Sequence, residues 1–573
     1  MSHNGKQLSR RSVLAATGAV AGASALGAAG AAPASAAPAG PGGGPGGGPG
    51  GPKPGPQGVA PFAVPAVLPG DARYPDLTVG LNQRWTASPN RVHLVSTTQQ
   101  VVAVVAEAAA AGRRVSVRSG GHCYEDFAYN AAVEVVVDLS EMNRVYFDAE
   151  RNAFAVEPGA ALGKVYDRLY RGWGVTVPGG MCYSVGAGGH VAGGGWGLLA
   201  RRDGLIVDHL YAVEVVTVDA AGTAKAVVAT RDDTGPLREL WWAHTGGGGG
   251  SFGIVTRYWF RSRTATGTNP SALLPKPPAE VLVSLLSWSW AKLTQADFTT
   301  LVRNFGAWHE AHGAPGDHGG LFSFLTLNHI SNGEVALLTQ LAVDTPNPEA
   351  VLQDFLDQIT QGVSTPPETP AQNGSADGPL GNFLVPRRWS WLKATHYLGT
   401  SNQVMTNSVL RGDEKSAFHH RGYTDAQIAA LWQHLRSDTL DNPMAQVVMS
   451  SYGGQVNALG STATAHAHRD SVFKVLYQTN WTEAAHDQVN LAWLRGVYQA
   501  VYAGTGGVPV SNTQTSGCFV NYCDIDLNSP QYNSSPVPWH DLYWRGNYPH
   551  LQQVKAQWDP TNFFRHGQSV RLP

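Results

Sequence analysis

The stretch RVHLVSTTQQVVAVVAEAAAAGRRVSVRSGGH, Arg91 to His122, decides the fold. Val92 to Val95 reads as a strand, and Ser96 with Gln99 forms a capping box for a helix. Val101 to Ala111 carries a helical apolar face, Gly112 stops it, and Arg114 to Arg118 is a second strand. The unit is therefore strand, helix, strand, and it ends in Ser119-Gly120-Gly121 followed by His122 and Cys123. Glycines cost backbone entropy in ordinary strands, so their presence here predicts a backbone that something approaches closely.

Outward from this unit, strands follow at Val133 to Leu139 and Ala153 to Val156, then a helix from Leu162 to Tyr170. Two glycine-rich segments come next: VPGGMCYSVGAGGHVAGGGWGLLARRDGLIVDHL, Val177 to Leu210, and HTGGGGGSFGIVT, His244 to Thr256. Such segments suit a backbone that packs on a flat ligand or donates N–H groups to phosphates; a turn-rich β-domain is the competing reading. From about Thr264 glycine thins out. Strands such as VLVSLLSW, LFSFLTLNHI and EVALLTQLAV alternate with helices at NPEAVLQDFLDQI, TDAQIAALWQHLRS and HDQVNLAWLRGVYQAVYAG. That order predicts an antiparallel sheet with helices on one face, suited to roofing a cleft.

At 573 residues with 43% hydrophobic content, the chain is long enough for two folded domains. The formal net charge is −2 and charged residues make up 14% without basic runs in the body, which argues against nucleic acid or an anionic membrane as partner. Ser9-Arg10-Arg11-Ser12-Val13-Leu14 resembles a twin-arginine export motif, with Ala34-Ser35-Ala36 as the cleavage site. That route carries folded, cofactor-loaded proteins and implies a secreted protein with no membrane span in its mature form. Residues 37–72 read as a Pro/Gly-rich linker. Its G-x-G-x-x-G match at Gly42, Gly44 and Gly47 lacks the flanking strand and helix and carries no meaning.

Four cysteines, Cys123, Cys182, Cys518 and Cys523, are too few for a disulfide framework in a chain this long, so reactive roles compete with pairing. No C-x-x-C spacing is present, and His419-His420 and His466-x-His468 are the only histidine groupings of note; no metal site is expected.

VRSGGH, PGGMC with VGAGGHVAGGGWG, GGGGGSFGIVT, Asn521-Tyr522-x-Asp524 and the tail YWRGNYPHLQQVKAQWDPTNFF (Tyr543 to Phe564) together resemble the berberine-bridge-enzyme-like FAD-linked oxidases. These belong to the vanillyl-alcohol-oxidase, or PCMH-type, flavoprotein superfamily. The resemblance runs from about Val92 to the C-terminus. It implies an α+β, two-domain PCMH-type FAD-binding fold with an antiparallel-sheet substrate domain backed by helices. The divisions expected are a signal peptide at 1–36, the linker, a FAD-binding domain at 73–263, a substrate domain at 264–530 and a C-terminal segment at 531–573 returning to the FAD domain.

The resemblance also implies a cofactor, FAD, bound covalently through His122 at the flavin 8α-methyl and Cys182 at C6. Two bonds would pin the ring, keep it from being lost outside the cell and leave an open face for bulky substrates. An ordinary loop histidine and half a disulfide are the alternatives for these two residues. Arg118, Ser119, Gly120, Gly121, Gly188, Gly189, His190, Gly253, Ile254, Val255, Asn521 and Tyr522 complete the expected cofactor contacts. Amides at Ser119 to Gly121, Gly188 to Gly189 and Gly246 to Gly250 are candidates for the FAD phosphates and ribityl chain. Val185 falls where the family gates oxygen and resembles the permissive form, which implies molecular oxygen as acceptor and hydrogen peroxide as product.

Two departures narrow the chemistry. The catalytic glutamate of the berberine bridge enzyme corresponds to the run Gly453 to Ala458, which has no acid, and Trp196 replaces an active-site tyrosine of some antibiotic-tailoring relatives. Tyr522 is therefore the expected catalytic base, as in the sugar-oxidising relatives. An ordinary tyrosine has a pKa of about 10, so a neighbour would have to lower it; Lys393 and Arg388 are the candidates. The expected function is oxidation of a secondary alcohol or hemiacetal of an oligosaccharide or natural product. Dehydrogenation or oxidative cyclisation of a natural product, and a catalytically idle flavin-retaining binding protein, are the alternatives.

Overall fold

In the computed structural model, residues 64–369, 383–401 and 407–573 are described. The twin-arginine segment and residues 37–63 of the linker lie outside them. The last part of the expected linker is not linker: Ala66–Val67 is a strand, β1, antiparallel to β2 (Arg91–Leu94), with Val67 fully buried.

Strand β2, helix α1 (Thr98–Ala110) and strand β3 (Val115–Arg118) form the expected unit. The cap sits one residue later than Ser96 and Gln99. Thr97 accepts the Gln100 N–H at 3.2 Å, and the Gln100 side chain accepts the Ser96 N–H at 2.7 Å. At the other end Gly112 turns with φ +63° and the Arg113 N–H reaches back to the Ala108 carbonyl at 2.9 Å, closing the helix. Strand β4 (Val135–Asp138) enters between β2 and β3, parallel to both, giving a sheet in the order β1-β2-β4-β3.

A second sheet is antiparallel in the order β5-β6-β9-β7-β8: β5 (Val145–Asp148), β6 (Ala153–Val156), β7 (Leu210–Val218), β8 (Ala224–Thr230) and β9 (Ile254–Phe260). Helix α1 packs against β7 and β8, so the two sheets share one helix between them. Helices α2 (Leu162–Trp173), α3 (Ala187–Ala192) and α4 (Gly235–Ala243) lie in the connections.

The third sheet has eight antiparallel strands, in the order β13-β10-β12-β11-β15-β16-β14-β17. They are β10 (Glu280–Ser289), β11 (Leu321–Asn328), β12 (Glu334–Ala342), β13 (Arg387–Ser390), β14 (Arg411–His419), β15 (Gln446–Ser451), β16 (Phe473–Trp481) and β17 (Thr515–Gly517). Helices α5 (Gln295–Ala311) and α6 (Pro348–Thr360) pack together, as do α7 (Asp425–Leu435) and α8 (Asp487–Val501), the latter against β14 and β16. Along β11, β15 and β16 every second residue faces the other way, toward a cavity: Phe324 and Thr326, Gln446 and Val448, Leu476 and Gln478. The helix α9 (Tyr548–Trp558) of the C-terminal segment returns to pack on α4. Among the described residues no helix is long and apolar enough to cross a membrane.

Candidate active site

A cavity of about 960 Å³ opens between the glycine loops and the alternate face of the eight-stranded sheet. The loops can meet only because they lack side chains. A Cβ on Gly120 would lie 2.3 Å from the Gly186 nitrogen, and one on Gly193 would lie 1.9 Å from the Asn521 Oδ1. The strand β3 loop, the Gly186 loop and the Asn521 segment are thus clasped to one another by close backbone approach.

His122 and Cys182, 60 residues apart in sequence, converge on one hydroxyl: Ser184 Oγ lies 3.0 Å from His122 Nε2 and 3.4 Å from Cys182 Sγ. Burial pushes His122 down to about 4, with the Arg118 guanidinium adding to it, so the imidazole is neutral and nucleophilic near pH 7. Arg118 lines the cavity but its charge is already paired, with Asp138 at 2.7 Å. No disulfide joins any of the four cysteines.

Val185 lines the cavity, its carbonyl accepting the Leu162 N–H at 2.9 Å. His190 also borders it, but its ring holds the neighbouring loop, accepting the Gly180 N–H at 3.0 Å, and burial, with Lys474 nearby, brings it to about 4. Asn521 donates to the His190 carbonyl at 3.0 Å, and Gly253, Ile254 and Val255 complete the far wall. Three of the expected phosphate-binding amides are engaged inside the protein: Gly188 N–H with the Pro158 carbonyl at 2.8 Å, Gly247 with Ala243 and Gly248 with Ala192, each at 3.0 Å. That part of the expected set is corrected; its loops fold against their own supports. Ser119 to Gly121, Gly189, Gly246, Gly249 and Gly250 remain of it. At Gly189 a Cβ would meet no atom within 4 Å, so bare backbone fronts the cavity there.

Tyr522 lines the same cavity, and its cationic neighbour is one the sequence did not single out. Lys474 Nζ sits 3.9 Å from the Tyr522 ring centroid and 3.7 Å from that of Trp196, buried to 1% exposure with no hydrogen-bond partner. Burial pushes its ammonium well below the usual lysine range, Glu414 pulling the other way. Burial raises the Tyr522 hydroxyl, the Glu414 and Cys182 charges adding to it. Lys393 and Arg388 are elsewhere. Lys393 lies over Trp389 at 4.6 Å, and Arg388 is exposed and paired with Glu280 and Glu349.

The run Gly453 to Ala458, where an acid was sought, is a short 3-10 helix outside the cavity wall, with Gln455 exposed and Asn457 bonded to the Gly313 and Ser471 carbonyls. The cavity face instead holds a carboxylate on β14. Gln446 donates to Gln478 at 2.8 Å, Gln478 donates to Glu414, and the Tyr124 hydroxyl lies beside Glu414. Burial raises Glu414 well above the carboxylate range, which favours its protonated form. The histidine groupings are bonded within the core: His419 to Tyr502, His466 to Tyr452, and His468 to Ser516 and the Tyr543 carbonyl.

A long groove with bare glycine backbone at its floor, a neutral imidazole and a thiol at its centre, and a phenol on its wall fits a flat, phosphate-bearing redox cofactor such as FAD. Comparison with known proteins agrees. A family described as FAD binding domain matches residues 89–226, and one described as Berberine and berberine like matches residues 518–571. The chain is 48% identical over 505 residues to the aclacinomycin-N/aclacinomycin-A oxidase of Streptomyces galilaeus, covering 88% of this chain and 89% of that one. It is 32% identical over 545 residues to the hexose oxidase of Chondrus crispus, covering 87% and 93%. Among solved structures, aclacinomycin oxidoreductase superposes with a TM-score of 0.82 at 46% identity over 89% of this chain and 100% of that chain. A glycopeptide hexose oxidase complexed with teicoplanin does so with 0.82 at 41%, over 90% and 100%.

Proposed function

This chain belongs to the berberine-like FAD-linked oxidases, and from that premise we propose that it oxidises a secondary alcohol or hemiacetal carbon of a glycosylated natural product or oligosaccharide, with FAD held covalently by His122 and Cys182. The observation that carries the reading is the placement of His122, Cys182 and Tyr522 on one cavity, with Lys474 against the Tyr522 ring. FAD, when bound, would accept the hydride and pass its electrons to oxygen. Antibiotic-tailoring and sugar oxidases among the relatives support the substrate class.

The chain's own residues do the rest. Neutral His122 and the Cys182 thiol present nucleophiles on either side of Ser184, and the hydroxyl between them fixes their orientation. Tyr522 takes the substrate hydroxyl proton. Burial opposes its ionisation, and the basic group beside it is Lys474, on the face of its ring, whose ammonium burial also disfavours. The proton the pair gives up first is therefore the lysine's, which leaves a neutral amine against the Tyr522 ring when the substrate proton arrives. Glu414 anchors Gln478, which presents an amide on the cavity face. Val185 leaves room for oxygen.

Export through the Arg10-Arg11 signal places this chemistry outside the cell; retention of an R10K/R11K precursor in the cytoplasm supports that, and its normal secretion contradicts it. The activity is tested by oxygen uptake and peroxide release across a panel of sugars, glycosylated polyketides and glycopeptides. Peroxide formed one-to-one with a carbonyl product is expected. A flavin-loaded enzyme that no alcohol in the panel reduces would contradict the reading.

A further inference from the structure

Each of two residues assigned to chemistry in the cavity is followed by a cysteine: Cys123 after His122, and Cys523 after Tyr522. The two sulfurs, 400 residues apart in sequence, are 3.9 Å apart, and both line the cavity. Their segments run side by side under independent restraint. Glu125 accepts the Ile525 N–H at 2.8 Å, and the Asp524 N–H is held by the Tyr543 hydroxyl at 2.9 Å. Cys518, the other cysteine of the second segment, points away from the cavity, 3.4 Å from the Tyr498 hydroxyl, and burial pushes it up to about 12. It has neither the partner nor the access.

We propose that Cys123 and Cys523 are a peroxide-oxidisable pair, forming a reversible disulfide that ties the His122 loop to the Tyr522 segment. The division of labour follows from their surroundings. The Cys523 thiol donates to Cys123, and the Glu125 and Phe127 N–H groups add to it, lowering Cys123, while the same contact and burial raise Cys523. Cys123 is the attacking thiolate and Cys523 the resolving thiol. The Cys123 thiolate attacks one oxygen of hydrogen peroxide. The O–O bond breaks, a sulfenic acid forms on Cys123, and the released hydroxide takes the thiol's proton to become water. The Cys523 sulfur then attacks the sulfenic sulfur and expels a second water. Two thiols and one peroxide thus give one disulfide and two waters, each sulfur oxidised by one electron and the two peroxide oxygens reduced. A disulfide would close the sulfurs from 3.9 Å to about 2.05 Å, between two segments already hydrogen-bonded to each other.

The test uses the full chain with its cofactor and added hydrogen peroxide, so it does not depend on turnover or on the substrate being known. Reduced protein is treated with peroxide, alkylated under denaturing conditions and mapped without reductant. The expected result is one linked species joining the Cys123 and Cys523 peptides, two hydrogens lighter than the thiol forms and reversed by dithiothreitol, with Cys518 still alkylated. In C523S, dimedone should label Cys123; in C123S it should leave Cys523 unlabelled. Both thiols still alkylated after peroxide, a link to Cys518, or dimedone labelling of Cys523 in C123S would each overturn the proposal.

Discussion

Tyr522 and Lys474 carry the argument at the scale of single residues. Phe at position 522 keeps the ring that packs on Lys474 and Phe519 and removes only the proton acceptor. Y522F should keep its flavin and fold and lose roughly 10²- to 10⁴-fold in the rate of flavin reduction under anaerobic stopped flow. Reduction at the wild-type rate would return Tyr522 to the core. K474M removes the amine from the ring face and should slow the same step by roughly 10²-fold at neutral pH, the low end for loss of a general-base partner. Because Tyr522 then has to ionise alone against its burial, the rising limb of the rate against pH should move to higher pH; an unmoved limb would exclude Lys474 from the proton's path. Lys474 was not legible in the sequence. FKVLYQTNW reads as a strand with a polar side, and only the register of β16 against β15, Lys474 opposite Ser450, places it on the cavity face beside Trp196. His122 and Cys182 stand out in the sequence through VRSGGH and PGGMC, motifs that carry the family resemblance, and the structure brings both to one cavity.

At the scale of elements, β14 is where sequence pattern and structure part most. RGDEKSAFH has the look of an exposed strand, yet Asp413, Glu414 and Lys415 are all buried, since α8 covers one side and the Asp524 to Asp526 segment crosses it. Lys415 is bonded to Asp524 and Asp526, each at 2.8 Å, and Arg495 shares Asp526 at 2.8 Å. The Lys415 pairs span more than 100 residues, beyond the reach of any local pattern. They hold the segment that carries Tyr522 and Cys523. K415M strands Asp524 without a cation and should cost about 3–5 kcal/mol, read as a lower denaturant midpoint. An unchanged midpoint would show the cluster to be dispensable. Short apolar strands, by contrast, were legible from their composition, and Ala153–Val156, apolar and buried throughout, falls where it was expected.

The whole molecule buries many neutral histidines. Burial brings His244 to about 4 and His419 and His468 to about 3, from 6.5. Below pH 6.5 the unfolded chain takes up protons that these residues refuse while folded, so stability is full above about 6.5 and falls as pH drops toward 3. The unfolding midpoint should decline steadily across that window in an acid series; a flat profile down to pH 4 would contradict it. The fold as a whole was legible because two glycine-rich loops, one strand–helix–strand unit and the C-terminal motif stand in family order along the chain. The cavity's polar ladder of Gln446, Gln478 and Glu414 was not, because it is assembled across three strands. What unites these levels is the proposal that FAD is fixed at both His122 and Cys182, and the intact mass of the acid-denatured chain tests it most directly. Wild-type protein should retain one flavin adenine dinucleotide through denaturation, H122A and C182A should each still retain it through the other residue, and only the double variant should release it. A wild-type chain that sheds all its flavin in acid would contradict the account.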